Sequence, residues 1–550
     1  MKKLNKKAAG ITLAGAVALS SLGFSAAKED VQAKNPKKEP VNVIMMVMDG
    51  TSSSTTTLSR WYKGGNLAMD QMLAGGVRTY SAESAITDSA PAGTALATGN
   101  KSNDKYVGIL PSVVNSPGLE PIKPEDAQKP VANVLEGAKL QGKATGIIAT
   151  SEIQHATPAG FSAHATHRNN YGDIAEQQVY QGIDVVLGGG KESLAPGTTK
   201  NARTDGENLL DVLDQKKYDF VENRDELLAS DSNKIWGSFA TSALAYDFDR
   251  ESTQPSQPTL AEMTGKAINT LNKDEDGFFL FVEGSKVDWA AHANDPIGMI
   301  SDTLAFDDAV KEAVEFAKKD GNTMVIALTD HGNSGISIGN TNTNSSYPST
   351  PVSSYIDPLK KAKMTVEGAL SQLKEDKSNL KEVAALYGLE DLTDEELKTL
   401  TASKNIGSDM SKMLAKRANL GFTTGGHTGE DVFLYSYGPS RPTGLVENTD
   451  IAKKMAEVMN FDLGKVSDKL YTNAEKALAK KGYTSRIDVT NPNNPVLVAK
   501  KGDKTVEFPV NKNIVIQKSG KSTEQKEVNA VTVYNGKEFY ISEQALKLVK

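Results

Sequence analysis

Apolar residues cluster in four short, almost uninterrupted runs along this chain. The runs span residues 41–50, 143–152, 277–285 and 322–332, and they include "VNVIMMVMDG" and "GFFLFVEGS". A strand with one solvated face alternates apolar with polar residues, whereas continuous apolarity is typical of strands buried on both faces. The pattern therefore predicts a mostly parallel sheet that is covered by helices on both sides.

Longer stretches between these runs read as helices. Residues 302–321, "DTLAFDDAVKEAVEFAKKDG", are the clearest example, because they close with two lysines and a glycine, as a helix end does. Helices that alternate with buried strands predict an α/β fold, here a three-layer α/β/α sandwich.

Two later segments depart from this alternation. Residues 340–421 begin with a polar loop, "NTNTNSSYPSTPVSS", and continue as helices with a capping signal at Thr393, so we interpret them as a helical insertion. Residues 480–550 contain short strand-like runs separated by Asn-Pro, Gly-Asp and Asn-Gly turns, which predict a small C-terminal β-rich domain. The main domain is expected to span residues 41–468.

The first 33 residues have the pattern of a secretory signal peptide. Four lysines precede the apolar run "AAGITLAGAVALSSLGF", and cleavage sites follow Ala33, which we prefer, or Ala27. The run is diluted by Gly and Ser and is shorter than the ~20 apolar residues of a membrane span. We therefore expect export, cleavage, and a mature protein without a transmembrane anchor.

Charge and cysteine content exclude several classes of protein. The chain of 550 residues has a net charge of −7, and residues 34–550 are three charges more negative because the leader carries five lysines and two acids. An acidic protein is a poor partner for nucleic acid, so we expect no such partner. The sequence contains no cysteine, so disulfides cannot stabilise it outside the cytoplasm.

Acidic residues follow the predicted strands at the same end. Asp49, Glu152, Glu283 and Asp330 each stand at or just beyond the carboxyl end of an apolar run. In open α/β sheets ligands bind beyond this edge, so these four acids are expected to meet at an active site.

Three of the six histidines stand in patterns typical of metal ligands. Asp288 and His292 are four residues apart and would share a helix face, Asp330 and His331 are adjacent, and His427 lies in the Gly-rich segment "TTGGHTGED". A solvated salt bridge explains the first pair equally well when it is taken alone. The combination predicts a Zn²⁺ site.

The segment "AITDSAPAGTALATG" places Asp88 and Ser89 at the expected start of a helix. A helix N-terminus favours an anion, and a serine hydroxyl without a neighbouring base can be activated by a metal. A helix-capping Asp-Ser pair is the alternative that these residues leave open.

These motifs together resemble the alkaline phosphatases. "TDSAPAGTALATG", "SEIQHATPAGFSAHATHRNNYG", "VEGSKVDWAAHAND", "LTDHG" and "GGHTGED" occur in that order, and the resemblance extends from about Val41 to Leu463. It implies a phosphomonoesterase that hydrolyses small phosphate monoesters at alkaline pH through a phosphoserine intermediate, with two Zn²⁺ and one Mg²⁺. Family members are commonly homodimers, so we expect a homodimer.

The resemblance also implies a role for each site residue. Ser89 would be the nucleophile, Arg168 would bind two phosphate oxygens, and Asp88 would orient Arg168. One zinc would be bound by Asp288, His292 and His427, the second by Asp49, Asp330 and His331, and the third ion by Asp49, Thr157 and Glu283. His155 is expected to belong to the third metal site, and both it and Trp289 occupy positions that vary within the family. Because an imidazole at His155 weakens the case for Mg²⁺, the third ion is Mg²⁺, Co²⁺ or Zn²⁺.

Other readings remain open at this level. A sulfatase would need S-x-P-x-R, but Gly93 stands where the arginine should be, and a phosphodiesterase on the related fold is a further alternative. The Lys-rich C-terminal segment suggests a cell-surface binding protein, or association of the enzyme with the cell wall.

Two histidines and one Gly-rich segment are not expected to belong to the site. His164 and His167 match no ligand position and are expected to have packing or surface roles. The segment "DVVLGGGKES" lacks the Ser or Thr of a phosphate loop and predicts a tight turn.

Overall fold

The structure is a computed structural model that describes residues 41–549. The predicted signal peptide, residues 1–33, lies outside the described residues. Among the described residues, no helix combines the length and the apolar character needed to cross a membrane.

The strands of the described residues are short and number from the N-terminus as follows: β1 (Asn42–Met48), β2 (Leu73–Arg78), β3 (Ala144–Glu152), β4 (Val185–Gly189), β5 (Asp219–Val221), β6 (Ile235–Ser238), β7 (Phe278–Gly284), β8 (Thr323–Leu328), β9 (Gly332–Asn333), β10 (Ser337–Ile338), β11 (Leu420–Gly421), β12 (His427–Thr428), β13 (Val432–Tyr437), β14 (Gly444–Glu447), β15 (Thr472–Asn473), β16 (Thr484–Asp488), β17 (Val496–Lys501), β18 (Lys504–Pro509), β19 (Ile514–Ser519), β20 (Ser522–Glu527), β21 (Val533–Tyr534) and β22 (Phe539–Ile541).

The α-helices of the same part of the chain are α1 (Ser53–Lys63), α2 (Ser89–Thr98), α3 (Val134–Leu140), α4 (Ala156–Gly160), α5 (Tyr171–Gln181), α6 (Leu209–Gln215), α7 (Arg224–Ala229), α8 (Asp247–Thr253), α9 (Leu260–Leu271), α10 (Lys286–His292), α11 (Pro296–Asp320), α12 (Ser353–Ile356), α13 (Val366–Ser371), α14 (Leu380–Leu386), α15 (Asp394–Ala402), α16 (Ile406–Arg417), α17 (Asn448–Val458), α18 (Leu463–Leu470), α19 (Ala474–Lys480) and α20 (Glu543–Leu548).

Ten strands form the central sheet, in the spatial order β14-β2-β13-β8-β1-β7-β3-β4-β6-β5. Every neighbouring pair is parallel except the two pairs made by β13 with β2 and β8. The four predicted runs are β1, β3, β7 and β8, and the mostly parallel sheet covered by helices is confirmed. These four strands lie next to one another at the centre of the sheet, where both faces are covered.

Strand β1 shows why its sequence is apolar at every position. Val43, Met45 and Val47 belong to the hydrophobic cluster on one face of the sheet, while Ile44 and Met46 belong to the cluster on the other face. All are fully buried. Since successive side chains of a strand point to opposite faces, burial on both sides requires continuous apolarity.

The predicted helix at residues 302–321 is the C-terminal part of α11. The helix ends at Gly321, which adopts φ 75°, but it begins earlier than predicted, at Pro296. Asp295 caps this start by accepting a hydrogen bond from the backbone N–H of Ile297. Proline is favoured in the first helical turn, because its missing N–H is unpaired there in any case.

Residues 340–421 contain helices α12–α16, which pack around a hydrophobic cluster that includes Leu380, Leu400 and Leu414. The predicted cap is present, since Thr393 and Glu396 bond to each other's backbone N–H groups.

The C-terminal segment forms a five-stranded antiparallel sheet, β16–β20. It has a hydrophobic cluster of its own around Leu497 and Phe508, but Ile514 and Val531 belong to the large cluster beneath the central sheet. The boundaries at residues 468 and 480 stay predictions.

Candidate active site

Three neighbouring strands bring three acids together at the carboxyl edge of the sheet. Strand β1 lies between β7 and β8, with Val47 opposite both Glu283 and Leu328. Asp49 follows β1, Glu283 lies in β7, and Asp330 follows β8 by two residues. All three carboxylates are buried. Parallel register alone therefore gathers negative charge at one point, as the sequence predicted for these three acids.

A first group of potential ligands consists of Asp288 and His292 on α10 and His427 on β12. The two histidine Nε2 atoms are 3.2 Å apart, Asp288 Oδ2 lies 3.4 Å from His292 Nε2, and Asp288 Oδ1 lies 3.6 Å from His427 Nε2. Ligand atoms at the corners of a tetrahedron with bonds of ~2.0–2.1 Å are about 3.3 Å apart. The three side chains therefore lie close enough together to bind one divalent cation.

Backbone carbonyls fix the tautomer of three histidines. Nδ1 of His292 lies 2.8 Å from the carbonyl oxygen of Gly425, Nδ1 of His427 lies 2.8 Å from that of Thr87, and Nδ1 of His331 lies 3.2 Å from the oxygen of Gly332. A carbonyl only accepts, so each Nδ1 must carry the proton. Each Nε2 is then free to bind a metal, which is the usual arrangement of ligating histidines.

A second group surrounds the Ser89 hydroxyl and contains Asp49, Asp330 and His331. His331 Nε2 lies 3.2 Å from Asp330 Oδ2, 3.5 Å from Asp49 Oδ1 and 3.2 Å from Ser89 Oγ. Ser89 Oγ is also 3.3 Å from Asp49 Oδ2. Three ligands and the hydroxyl thus have the mutual spacing of four atoms around one divalent cation.

Ser89 is the first residue of α2, and Asp88 is its N-cap. The Asp88 side chain accepts a hydrogen bond from the backbone N–H of Ala90. The sequence left two interpretations of this pair open, a helix cap or a hydroxyl activated by a metal. In the structure Asp88 is the cap, and Ser89 places its hydroxyl at the second group. Because the positive end of the helix dipole lies at Ser89, the local field favours an anion there.

Arg168 is held beside Ser89 by an ion pair. Its Nη1 donates to both carboxylate oxygens of Asp88, each at 2.6 Å, and its Nη2 lies 2.9 Å from His155 Nε2. Burial would raise the pKa of the Asp88 carboxyl, but the charge and hydrogen bonds of Arg168 keep that pKa below its ordinary value. Burial, assisted by Arg168, lowers the pKa of His155 to about 3, so its ring is neutral.

A third group adjoins the second. Asp49, Glu283 and His155 have ligand atoms close enough together for one metal ion, and the buried Thr157 lies next to Glu283. Thr157 Oγ1, Glu283 Oε1 and His155 Nδ1 are buried without a hydrogen bond to the described residues. Burial and the charge of Asp330 raise the pKa of Glu283 to about 7 and raise that of Asp49 well above its ordinary range.

These features fit divalent cations. Asp49 Oδ1 and Asp330 Oδ2 also lack a hydrogen bond among the described residues, although both oxygens are fully enclosed. A buried, unbonded carboxylate oxygen is costly unless a cation compensates it. Oxygen and imidazole ligands in sets of three are those that zinc and magnesium use.

Some predicted or candidate residues lie elsewhere. Glu152 pairs with Gly189 at the end of β3 and does not join the other three acids. His164 is buried and packs as expected, with Nδ1 2.7 Å from the Gly108 carbonyl oxygen and Nε2 2.7 Å from the Tyr471 hydroxyl. His167 accepts a hydrogen bond from the backbone of Asn169 and takes no part in the site.

Comparison with known proteins agrees with this geometry. The sequence model of the alkaline phosphatase family matches residues 40–461. The chain belongs to the alkaline phosphatase family. It is 36% identical over 499 residues to alkaline phosphatase 3 of Bacillus subtilis. The matched region covers 85% of this chain and 100% of that protein.

Two solved structures extend the comparison. The alkaline phosphatase of Thermus thermophilus is 27% identical and has a TM-score of 0.67, covering 78% of this chain and 92% of that one. A variant of the TAB5 alkaline phosphatase, with a histidine replaced by glutamate and Mg bound at the third of its numbered metal sites, is also 27% identical. Its TM-score is 0.55, with 77% of this chain and 99% of that chain covered.

Family membership and the ligand groups establish the general activity. The protein is a metal-dependent phosphomonoesterase that acts on small phosphate monoesters. The sulfatase alternative also meets a physical obstacle at Gly93, where that motif requires arginine. A Cβ atom at Gly93 would lie 3.1 Å from the Thr157 Cα atom, so this side of α2 has no space for a long side chain.

Proposed function

We propose that Ser89 is the nucleophile of a two-step phosphoryl transfer. In the first step its Oγ forms a bond to phosphorus while the ester P–O bond breaks and the alcohol leaves. In the second step a water attacks the phosphoserine, releases inorganic phosphate and restores the hydroxyl. The observation that carries this proposal is the position of Ser89 Oγ, which lies 3.2–3.3 Å from both His331 Nε2 and Asp49 Oδ2 at a helix N-terminus.

The metal ligands that we propose are the two sets of three described above. Asp288, His292 and His427 would hold one Zn²⁺, and Asp49, Asp330 and His331 would hold the other. Bound zinc lowers the pKa of hydroxyl groups and water and stabilises charge on the attacking and leaving oxygens. His331 would not act as a general base in this scheme, because its free Nε2 faces the buried oxygens of Asp49 and Asp330 as well as Ser89.

Arg168 would bind two oxygens of the phosphoryl group. Its guanidinium is planar and offers paired N–H donors, which match two oxygens of a phosphate. Asp88 holds Nη1 through two hydrogen bonds and His155 accepts from Nη2, which leaves the Nε–H and the second Nη2–H for substrate. Asp88 is thus a positioning residue for Arg168.

A comparison of three chromogenic substrates tests this function. We expect p-nitrophenyl phosphate to be hydrolysed with a far higher kcat/KM than bis(p-nitrophenyl) phosphate or p-nitrophenyl sulfate. The monoester is a dianion with three non-bridging oxygens, two for Arg168 and one for the cations, whereas the diester has only two such oxygens and both the diester and the sulfate carry a single negative charge. A higher kcat/KM for the diester or the sulfate would overturn the proposal.

For the third ion we propose the ligands Asp49, Thr157 and Glu283, with His155 as a modulator of metal choice. The neutral His155 ring has one lone pair, and its Nε2 lone pair already accepts from Arg168. Nδ1 therefore carries the proton and cannot bind a cation in the same arrangement. Without a ligand atom from His155 the group offers only three oxygens, so the lower coordination number of Zn²⁺ or Co²⁺ would suit it better than the octahedral geometry that Mg²⁺ demands.

Replacing His155 with aspartate is expected to raise the dependence of activity on Mg²⁺. The carboxylate adds a hard oxygen ligand beside Glu283 and Asp49. Activation of metal-depleted protein by Mg²⁺, Co²⁺ and Zn²⁺ would be measured for the native chain, H155D and the control H167D, which changes a histidine outside the site. Identical activation profiles for H155D and the native chain would contradict this role. The TAB5 variant with Mg bound supports the expectation.

We also propose export through the N-terminal signal, assembly as a homodimer, and cell-wall association through the C-terminal segment. Exposed lysines on two hairpins of the β16–β20 sheet, Lys501 and Lys504 on one and Lys521 on the other, support the last of these by offering positive charge to an anionic polymer.

A further inference from the structure

Asn333 lies where the two predicted zinc groups meet. It stands two residues after His331 on β9 and is fully buried. Its side-chain amide reaches across to the other group, because Nδ2 donates to Asp288 Oδ1 at 2.7 Å and lies 3.3 Å from the Asp288 carbonyl oxygen. No motif in the sequence marks this asparagine as a site residue.

The hydrogen bond from Asn333 fixes the orientation of the Asp288 carboxylate within the first group. With Oδ1 engaged by the amide, Oδ2 faces His292 Nε2 at 3.4 Å. The amide oxygen of Asn333 is itself held, since it accepts from the backbone N–H of Ser334 at 2.5 Å. The amide therefore cannot turn over without losing both bonds.

The backbone of Asn333 lies opposite the remaining ligand of the first group. Strand β9 pairs with β12 in antiparallel register, so that Asn333 lies opposite His427. The Asn333 carbonyl oxygen lies 3.2 Å from the hydroxyl of Ser52, the N-cap of α1. One residue thus bonds to Asp288 through its side chain, is paired with His427 in the strand register, and follows His331 by two residues along the chain.

Glu430 links the segment that carries His427 to the segment that carries Asp49. Its Oε1 accepts from Ser52 Oγ at 2.8 Å and from Thr428 Oγ1 at 2.7 Å. Ser52 follows Asp49 by three residues, and Thr428 follows His427. Gly332 leaves room for the Glu430 carboxylate. A Cβ atom at residue 332 would lie only 2.0 Å from Glu430 Oε1.

From this geometry we propose that Asn333 is a positioning residue that couples the two zinc groups, so that occupation of one group orders the other. The inference rests on the proposed metal ligands. A fixed β9–β12 pair sets His427 and Asp288 relative to Asp330 and His331. Any cation that orders one set therefore also restricts the other, and such coupling is reciprocal. Removal of an outer hydrogen-bond partner of a metal ligand typically costs 10–100-fold in metal affinity.

Zinc content per chain, measured by elemental analysis after equilibration in zinc buffers, tests the coupling. We expect the native chain to lose zinc from both groups over one narrow range of free zinc. In Asn333→Leu, which keeps the shape of the side chain and removes the amide, about half of that zinc should leave at roughly 10–100-fold higher free zinc, so that the curve splits into two steps.

Asn42→Leu is the matched control. Asn42 is a buried amide at the opposite edge of the same sheet, where it contacts Thr323 and Phe278. Thermal unfolding in chelator compares the folding of the two variants, and Asn333→Ala replaces Asn333→Leu if leucine prevents folding. A single-step curve for the Asn333 variants, whether unshifted or shifted as a whole like that of Asn42→Leu, would overturn the inference. Ser89→Ala removes a hydroxyl beside the second group but leaves Asn333 paired with Asp288, so its curve should keep a single step even where its midpoint moves. Failure of the nucleophile and failure of the coupling are therefore distinguishable.

Discussion

Replacement of Ser89 with alanine is expected to lower kcat for p-nitrophenyl phosphate by at least about 10³-fold. The variant lacks the only oxygen at the N-terminus of α2 that can form the phosphoserine, while Arg168 and the metal ligands keep their partners. Acid-quenched reactions with labelled phosphate should trap covalent label on the native chain and none on the variant.

Ser59→Ala is the control for this experiment. Ser59 is also a buried serine near the start of the catalytic segment, but its hydroxyl donates only to the Thr55 carbonyl oxygen within α1. Its kcat should match that of the native chain. Native turnover by Ser89→Ala with a full complement of metal would show that another group attacks phosphorus.

Removal of metal by chelation is expected to abolish activity and to destabilise the fold. Asp49, Glu283 and Asp330 are buried close together, and without cations their charges repel one another. A cation that binds only the folded chain stabilises it by about 4 kcal/mol when its free concentration is 1,000 times its Kd. Thermal unfolding with and without chelator, alongside activity, measures both effects.

The loss of stability should depend on pH in a defined direction. In the metal-free chain the pKa of Glu283 is about 7, whereas its ordinary value is 4.5. Between these values Glu283 binds a proton in the folded chain but not in the unfolded chain, so its contribution to the free energy of unfolding falls as pH rises from about 4.5 to about 7. His155, whose pKa is lowered by burial to about 3, contributes a rise over the range up to its ordinary pKa of 6.5. Zinc should suppress this fall, because the cation replaces the proton.

Return of single metals identifies the ions. Zn²⁺ alone, Mg²⁺ alone and both together would be added to the chelated protein, with elemental analysis before each assay. Full turnover by protein verified to lack divalent cations would contradict the mechanism, and so would a chelated protein that unfolds at the temperature of the native one at pH 8.

The sequence predicted those elements whose pattern is set by burial alone. Strands β1, β3, β7 and β8 are recognisable because both faces of each strand are covered, and the end of α11 is marked by Gly321. The start of α11 was predicted too late, because Pro296 belongs to the first turn of the helix and reads locally as a break.

The site was predictable as far as it consists of strand ends and short motifs. Asp49, Glu283 and Asp330 meet because adjacent parallel strands end together, but Glu152, chosen by the same rule, lies beside Gly189. Neighbouring residues gave no sign that His331 Nε2 lies 3.2 Å from Ser89 Oγ, or that Asn333 connects two ligand groups.

By itself, then, the sequence determined the sheet, its helical cover and the donor atoms available at one edge, since hydrophobic period and residue type are local properties. Tertiary structure alone decided which donors lie close together, which nitrogen of three histidines is free, and which oxygen of Asp288 bonds to Asn333. Those outcomes depend on contacts between segments up to several hundred residues apart, and only packing of the whole chain brings such segments within a hydrogen-bond length.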